Sequence, residues 1–142
     1  MMRVPLHALT WVLVVTLPLL SPIVGGAQSK FKTPDLALAH YIKSANARSL
    51  AGINATFLEP VLAFNFSGSL PVERFRVVKR IRYTEKLARD WNKKGIIPPA
   101  AVGDIELHVE EIIGGKPYMY SYNFRQTASG WKVVDFVAWD DK

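Results

Sequence analysis

The sequence predicts an α+β domain, an antiparallel sheet packed on about three helices. Three observations carry this. Two helix starts, Thr33-Pro34-Asp35 and Ser49, follow one another before any strand pattern begins. From Asp104 onward, apolar and polar side chains alternate with period two, cut by Gly114-Gly115 and Ser129-Gly130. Turns that short join antiparallel neighbours. Between these regions, Leu87 and Trp91 recur one helical turn apart behind a capping Thr84.

The chain has 142 residues and no cysteine. Met1–Ala27 has the pattern of a secretory signal peptide: a cation at Arg3, an apolar run from Ala8 to Leu20, and the small residues Val24-Gly25-Gly26-Ala27 at the exit. Pro18 and Pro22 interrupt the run. A membrane-spanning helix needs about 20 apolar residues without such breaks. Cleavage after Gly26 or Ala27 both fit. The expected organisation is therefore residues 1–27 as signal and residues 28–142 as one domain, periplasmic or secreted. It must hold together through its core alone, without disulfides. Asn54-Ala55-Thr56 and Asn65-Phe66-Ser67 match the glycan acceptor pattern, which chance also produces.

In chain order, Thr33 caps the first helix, Pro34 suits its first position, and Asp35 complements its dipole. Leu38, Tyr41, Ile42 and Ala45 form its apolar stripe. The second helix carries Leu50, Ile53, Phe57 and Leu58, and Glu59-Pro60 ends it. Val61–Phe66 reads as a short strand. Arg74–Tyr83 alternates, with Phe75, Val77, Ile81 and Tyr83 on one side and Arg74, Arg76, Arg80 and Arg82 on the other. A half-buried strand fits this better than a helix. Glu85–Lys94 is the third helix, stopped by Gly95. The paired Pro98-Pro99 make the next stretch a loop. The closing strands are Asp104–Ile113, Tyr118–Arg125 and Trp131–Trp139. In the last, Trp131, Val133, Asp135, Val137 and Trp139 share one face, and Val134, Phe136 and Ala138 the other. Both faces are apolar, so both need cover.

The formal charge is +6, and the excess is local. Nine cations lie between Arg74 and Lys94 against Glu85 and Asp90. Such a patch favours anionic partners. Export turns this from nucleic acid toward the anionic envelope surface, with Arg74, Arg76, Arg80 and Arg82 as contacts. The alternative is a solvated face that aids solubility.

Gly130-Trp131-Lys132-Val133-Val134-Asp135 resembles the closing strand of nuclear transport factor 2-like (SnoaL-like) domains. The stretch Thr33–Gly52 is similar to their first helix and its turn into the second. The resemblance implies a cone-shaped curved antiparallel sheet wrapped on three helices around an apolar pocket, the cystatin-like arrangement. Domains of that kind serve as enzymes, ligand carriers and partner modules, so the fold alone assigns no activity. Tyr120–Arg125 followed by Gly130–Asp135 is also similar to the closing strands of Mla-type periplasmic phospholipid carriers.

The candidate acid–base groups are Asp135 and His108, with Glu110 and His40 behind them. Asp135 serves as a general base only if its strand face lines the pocket; otherwise it bonds a neighbouring strand or faces solvent. His108 between Glu106 and Glu110 is either a His–Glu pair or part of an exposed polar face. His40 reads as a boundary histidine. Tyr118, Tyr120 and Tyr122, with Trp131 and Trp139, are the candidate ligand-lining side chains; ordinary aromatic packing is the alternative. Residues 28–142 offer two histidines and no ligand spacing for a metal, no glycine-rich phosphate loop and no nucleophile elbow, so neither metal nor cofactor is expected. These readings converge on an exported, non-catalytic binding domain of a bacterial cell envelope. Its ligand would be small and apolar or lipidic, or its partner a protein, and a sheet face could pair two copies as a homodimer. The alternatives are a small isomerase, lyase or hydrolase using Asp135 with or without His108, and a pocketless assembly protein.

Overall fold

Thr33, Ser49 and Thr84 each start a helix by the same device: a side-chain oxygen accepts from a backbone N–H in the first turn, that of Leu36, Gly52 and Leu87 respectively. A computed structural model describes residues 30–63, 66 and 68–139. The helices are α1 (Pro34–Asn46), α2 (Leu50–Thr56) and α3 (Glu85–Lys93). The strands are β1 (Val72–Arg82), β2 (Ile105–Ile113), β3 (Lys116–Thr127) and β4 (Gly130–Ala138). They form one antiparallel sheet in sequence order, with α3 between β1 and β2 in the chain. The fold is α+β. Met1–Ala27, the segment expected to be a secretory signal, lies outside the described residues. Among those described, no helix is long and apolar enough to cross a membrane.

The core lies between the two N-terminal helices and one sheet face. Leu38, Tyr41 and Ile42 of α1 and Ile53 of α2 meet Leu107 and Val109 of β2, Tyr122 and Phe124 of β3, and Trp131 and Val133 of β4. Full burial of such aliphatic side chains contributes roughly 1.5–3 kcal/mol each. Gly130 begins β4 at φ +110°, tight against the backbone of Phe31. On the opposite sheet face, Tyr83 packs on Trp91 of α3 and donates its hydroxyl to Glu106 at 2.8 Å.

Three asparagines act as clamps. Each accepts from the N–H and donates to the C=O of one distant residue: Asn46 holds Val72, Asn54 holds Val61, and Asn92 holds Ala100. An amide side chain reproduces in this way the pairing a strand neighbour would give. The clamp from Asn54 explains a difference from expectation. Val61, Leu62, Ala63 and Phe66 form no strand, because Val61 already has both backbone groups paired to a side chain.

Three β-bulges make the other differences. In β1, Glu73 and Val78 are extra residues; in β4, Val134 is. Each bulge flips the side chains beyond it to the other face. The arginines of β1 therefore do not form one row. Arg74 and Arg76 sit beside Ile112 and Glu110, whereas Arg80, beyond the Val78 bulge, sits beside Leu107 and reaches Asp35 of α1 at 2.8 Å. Arg76 pairs with Glu110 at 3.1 Å, and Arg82 is exposed. In β4, Trp131 and Val133 face the core, but Asp135 faces the other way, beside Asn123.

Candidate functional site

The core face of β2 reads Ile105, Leu107, Val109, then Glu111. Period two carries a carboxylate into apolar company, where it is only 3% exposed. It lines a cavity of about 350 Å³ between α1, the sheet, Phe66 and the stretch Ser69–Val72. Tyr41, Ile42, Tyr120, Tyr122 and Phe136 form much of its wall. The Tyr122 ring stacks on Phe136 at 5.6 Å and meets Tyr41 edge-on at 5.7 Å. A space of this size, mostly apolar with a few convergent polar groups, is the usual form of a small-molecule site.

The Tyr122 hydroxyl donates to Glu111 Oε1 at 2.6 Å. Burial pushes the Glu111 carboxyl above the ordinary carboxylate range, and the Tyr122 hydrogen bond partly offsets this by favouring the charged form. Burial also raises the Tyr122, Tyr41 and Tyr120 hydroxyls, with the charge of Glu111 next. All three stay protonated as donors. Glu111 can accept a hydrogen bond when ionised, and it can donate one over a wider pH range than an exposed carboxyl.

At the rim of the same cavity stands the exposed Arg48, in the turn from α1 to α2. The N–H of Arg48 bonds Ala45 O and the N–H of Ser49 bonds Ser44 O, which is the Schellman closure of a helix. The closure puts Arg48 at its left-handed position, φ 54°. Glycine is usual there; a side chain costs about 1–2 kcal/mol. Arg48 is the one non-glycine residue with positive φ among the described residues.

The candidate residues from the sequence fall on both faces of the sheet. Tyr120 and Tyr122 line the cavity, whereas Tyr118 shares their face but is exposed at the strand's start. Trp131 is buried in the core outside the cavity. His108, Glu110, Asp135 and Trp139 all belong to the opposite face. There His108 Nε2 lies 2.7 Å from Glu106 Oε1, and Trp139 stands edge-on over the imidazole at 4.8 Å and donates to Ser121 Oγ. Asp135 Oδ1 accepts from the Phe136 N–H, and burial raises its carboxyl. It borders a narrow crevice of about 10 Å³ with Asn123, Tyr83 and Trp91. Neither His108 nor Asp135 reaches the main cavity: His108 shares the phase of Glu106, and the Val134 bulge turns Asp135 outward. His40 packs on Phe31, and burial lowers its imidazole pKa.

Glu111 and Arg48 are absent from the sequence-derived candidates. The signal for Glu111 was present, since it continues the apolar phase of Ile105, Leu107 and Val109 by one step. Arg48 had a weaker one: a helix end and a helix cap so close together that the residue between them must reverse the chain. Among the described residues no cluster of three His, Cys, Asp or Glu side chains could hold a metal ion. Comparison of the chain with protein-family models, curated proteins and solved structures finds no match in any of the three.

Proposed function

We propose that this chain is an exported, non-catalytic binding domain of the nuclear transport factor 2-like kind. Its four-stranded sheet would curve into a cone, and a small apolar or amphipathic ligand would occupy the cavity bounded by Glu111. The observation that carries this is the placing of one carboxyl, whose one hydrogen-bond partner among the described residues is the Tyr122 hydroxyl, in the wall of a space of about 350 Å³ otherwise lined largely by aromatic and aliphatic groups. The envelope address rests on the pattern of Met1–Ala27. The test is mass spectrometry of small molecules released from protein purified after expression of the full chain in a bacterium. A stoichiometric ligand lost in a Tyr120→Trp variant, which fills the space, supports the reading. An empty protein whose thermal stability no envelope extract raises overturns it.

A second reading is an acid–base enzyme in which Glu111 takes the part that the sequence assigned to Asp135 and His108. What favours it is the raised carboxyl beside a fixed phenol donor, an arrangement suited to moving a proton on a bound substrate. Consumption of a bound compound by the wild type but not by Glu111→Gln would separate catalysis from carriage.

A further inference from the structure

We propose that Arg48 is the seat for an anionic headgroup, so that the cavity takes a single-chain anionic amphipath with its head at the rim and its apolar body inside. This rests on the cavity being a ligand site and adds which class of ligand it selects and which way round it lies.

Two independent observations meet at Arg48. The first is electrostatic. Arg76, Arg80, Arg89 and Arg125 each have an acidic partner, whereas Arg48, Arg74 and Arg82 have none among the described residues, and of these three only Arg48 lines the cavity. Its neighbour at the rim, Asn46, has its amide committed to Val72. Arg48 is thus a charged donor at the cavity mouth with its guanidinium uncommitted. A guanidinium matches carboxylate and phosphate oxygens in a two-pronged pair.

The second observation is conformational. The turn imposes φ 54° on Arg48, a value that glycine adopts without strain. The fold has an arginine where its own backbone favours a residue with no side chain. Strain kept at the edge of a cavity points to a use for the side chain that introduces it.

The interior fixes the orientation. Among the described residues Glu111 is the one acid lining the cavity, and it is buried whereas Arg48 is exposed. An anion entering head first would meet the buried Glu111 carboxyl, whereas an apolar body meets Tyr122, Phe136 and Ile42. At about 30 Å³ per water-sized group, the space holds roughly a dozen non-hydrogen atoms. A ten-carbon chain with a small head is of that order.

The test is calorimetric titration of the purified protein with decanoate, decyl phosphate, decanol and decylamine at low and high salt, on the wild type, Arg48→Gly and Arg48→Lys. The inference expects decanoate or decyl phosphate to bind at least tenfold tighter than decanol, with the gap narrowing in salt. It also expects Arg48→Gly to remove that preference while its melting temperature holds or rises, and Arg48→Lys to keep part of it. The tighter of the two anions tells a carboxylate head from a phosphate one. Anions binding no better than decanol, decylamine binding tightest, or an anion preference that survives in Arg48→Gly would each overturn the inference and leave the cavity reading intact. If none of the four binds and none raises the melting temperature, both readings fall.

Discussion

Replacing Tyr122 by Phe isolates the polar bond that its hydroxyl makes to Glu111. The ring keeps its contacts with Phe136 and Tyr41, so the change removes a hydroxyl and little else. What is lost is a 2.6 Å hydrogen bond to a carboxyl almost wholly buried. Against an ionised acceptor such a bond contributes about 1.5–3 kcal/mol; against a neutral one, about 0.5–1.5 kcal/mol. The deficit must therefore depend on pH. The carboxyl of Glu111 is raised above its ordinary 4.5 by burial. Stability linked to its neutral form is complete below that value and is lost as pH rises through the folded-state value. The Tyr122 bond opposes this loss, because it favours the charged form. Without the hydroxyl the folded-state value climbs further, and the variant loses more stability on the way up in pH. Urea unfolding should then show a deficit of about 1 kcal/mol near pH 4 that grows to about 1.5–3 kcal/mol near pH 8. At roughly 4 °C per kcal/mol for a domain of this size, the upper figure is a fall of about 6–12 °C in melting temperature. A deficit that is flat with pH, or smaller at pH 8, would refute the burial and pairing of Glu111 on which the site depends.

Other substitutions test the frame around the cavity. Gly130→Ala places a Cβ 2.7 Å from Phe31 O at a φ of +110°, and chemical denaturation should show a loss of more than about 2 kcal/mol. Arg125→Met breaks a two-pronged pair with the buried Asp104, at 2.9 and 2.8 Å, and a bond to Pro99 O; a loss of about 2–3 kcal/mol is expected by the same assay. Asn54→Asp keeps the acceptor for Val61 N–H but replaces the donor to Val61 O with a charge, so the segment after α2 should become protease-sensitive at neutral pH, with about 1–2 kcal/mol lost overall.

Local chemistry made much of the fold legible. Thr33, Ser49 and Thr84 are caps that depend only on near neighbours, and all three helices begin where those residues stand. The Gly114-Gly115 hairpin has positive φ at both positions, as two glycines between alternating strands promise. The phase of each strand was less legible. Alternation can be extended along a strand only while no residue is extra, and nothing in Val78 or Val134 marks either as the one that bulges. Past Val134, Asp135 was expected among the core-facing tryptophan and valine and instead lies on the reverse side with Trp139. Past Val78, the arginines of β1 divide between two faces. The expected strand at Val61–Phe66 is missing at its described residues, Val61–Ala63 and Phe66, for a different reason, because a helix side chain takes the bonds a neighbouring strand would have used at Val61. The tyrosines of β3 did reach the cavity at positions 120 and 122, since no bulge interrupts their pairing with β2.

The grip of Asn54 on Val61 has a practical consequence for making the protein. Asn54-Ala55-Thr56 is spelled as a sugar-attachment site, and a yeast or animal-cell secretion line would modify it as the nascent polypeptide emerges, ahead of folding. The oligosaccharide would occupy the same nitrogen that later fastens Val61, and Thr56 beside it has no access to solvent in the finished molecule. Material from such a host would divide into a decorated, loosened population and a bare, properly fastened one, whereas a bacterial host yields the second alone.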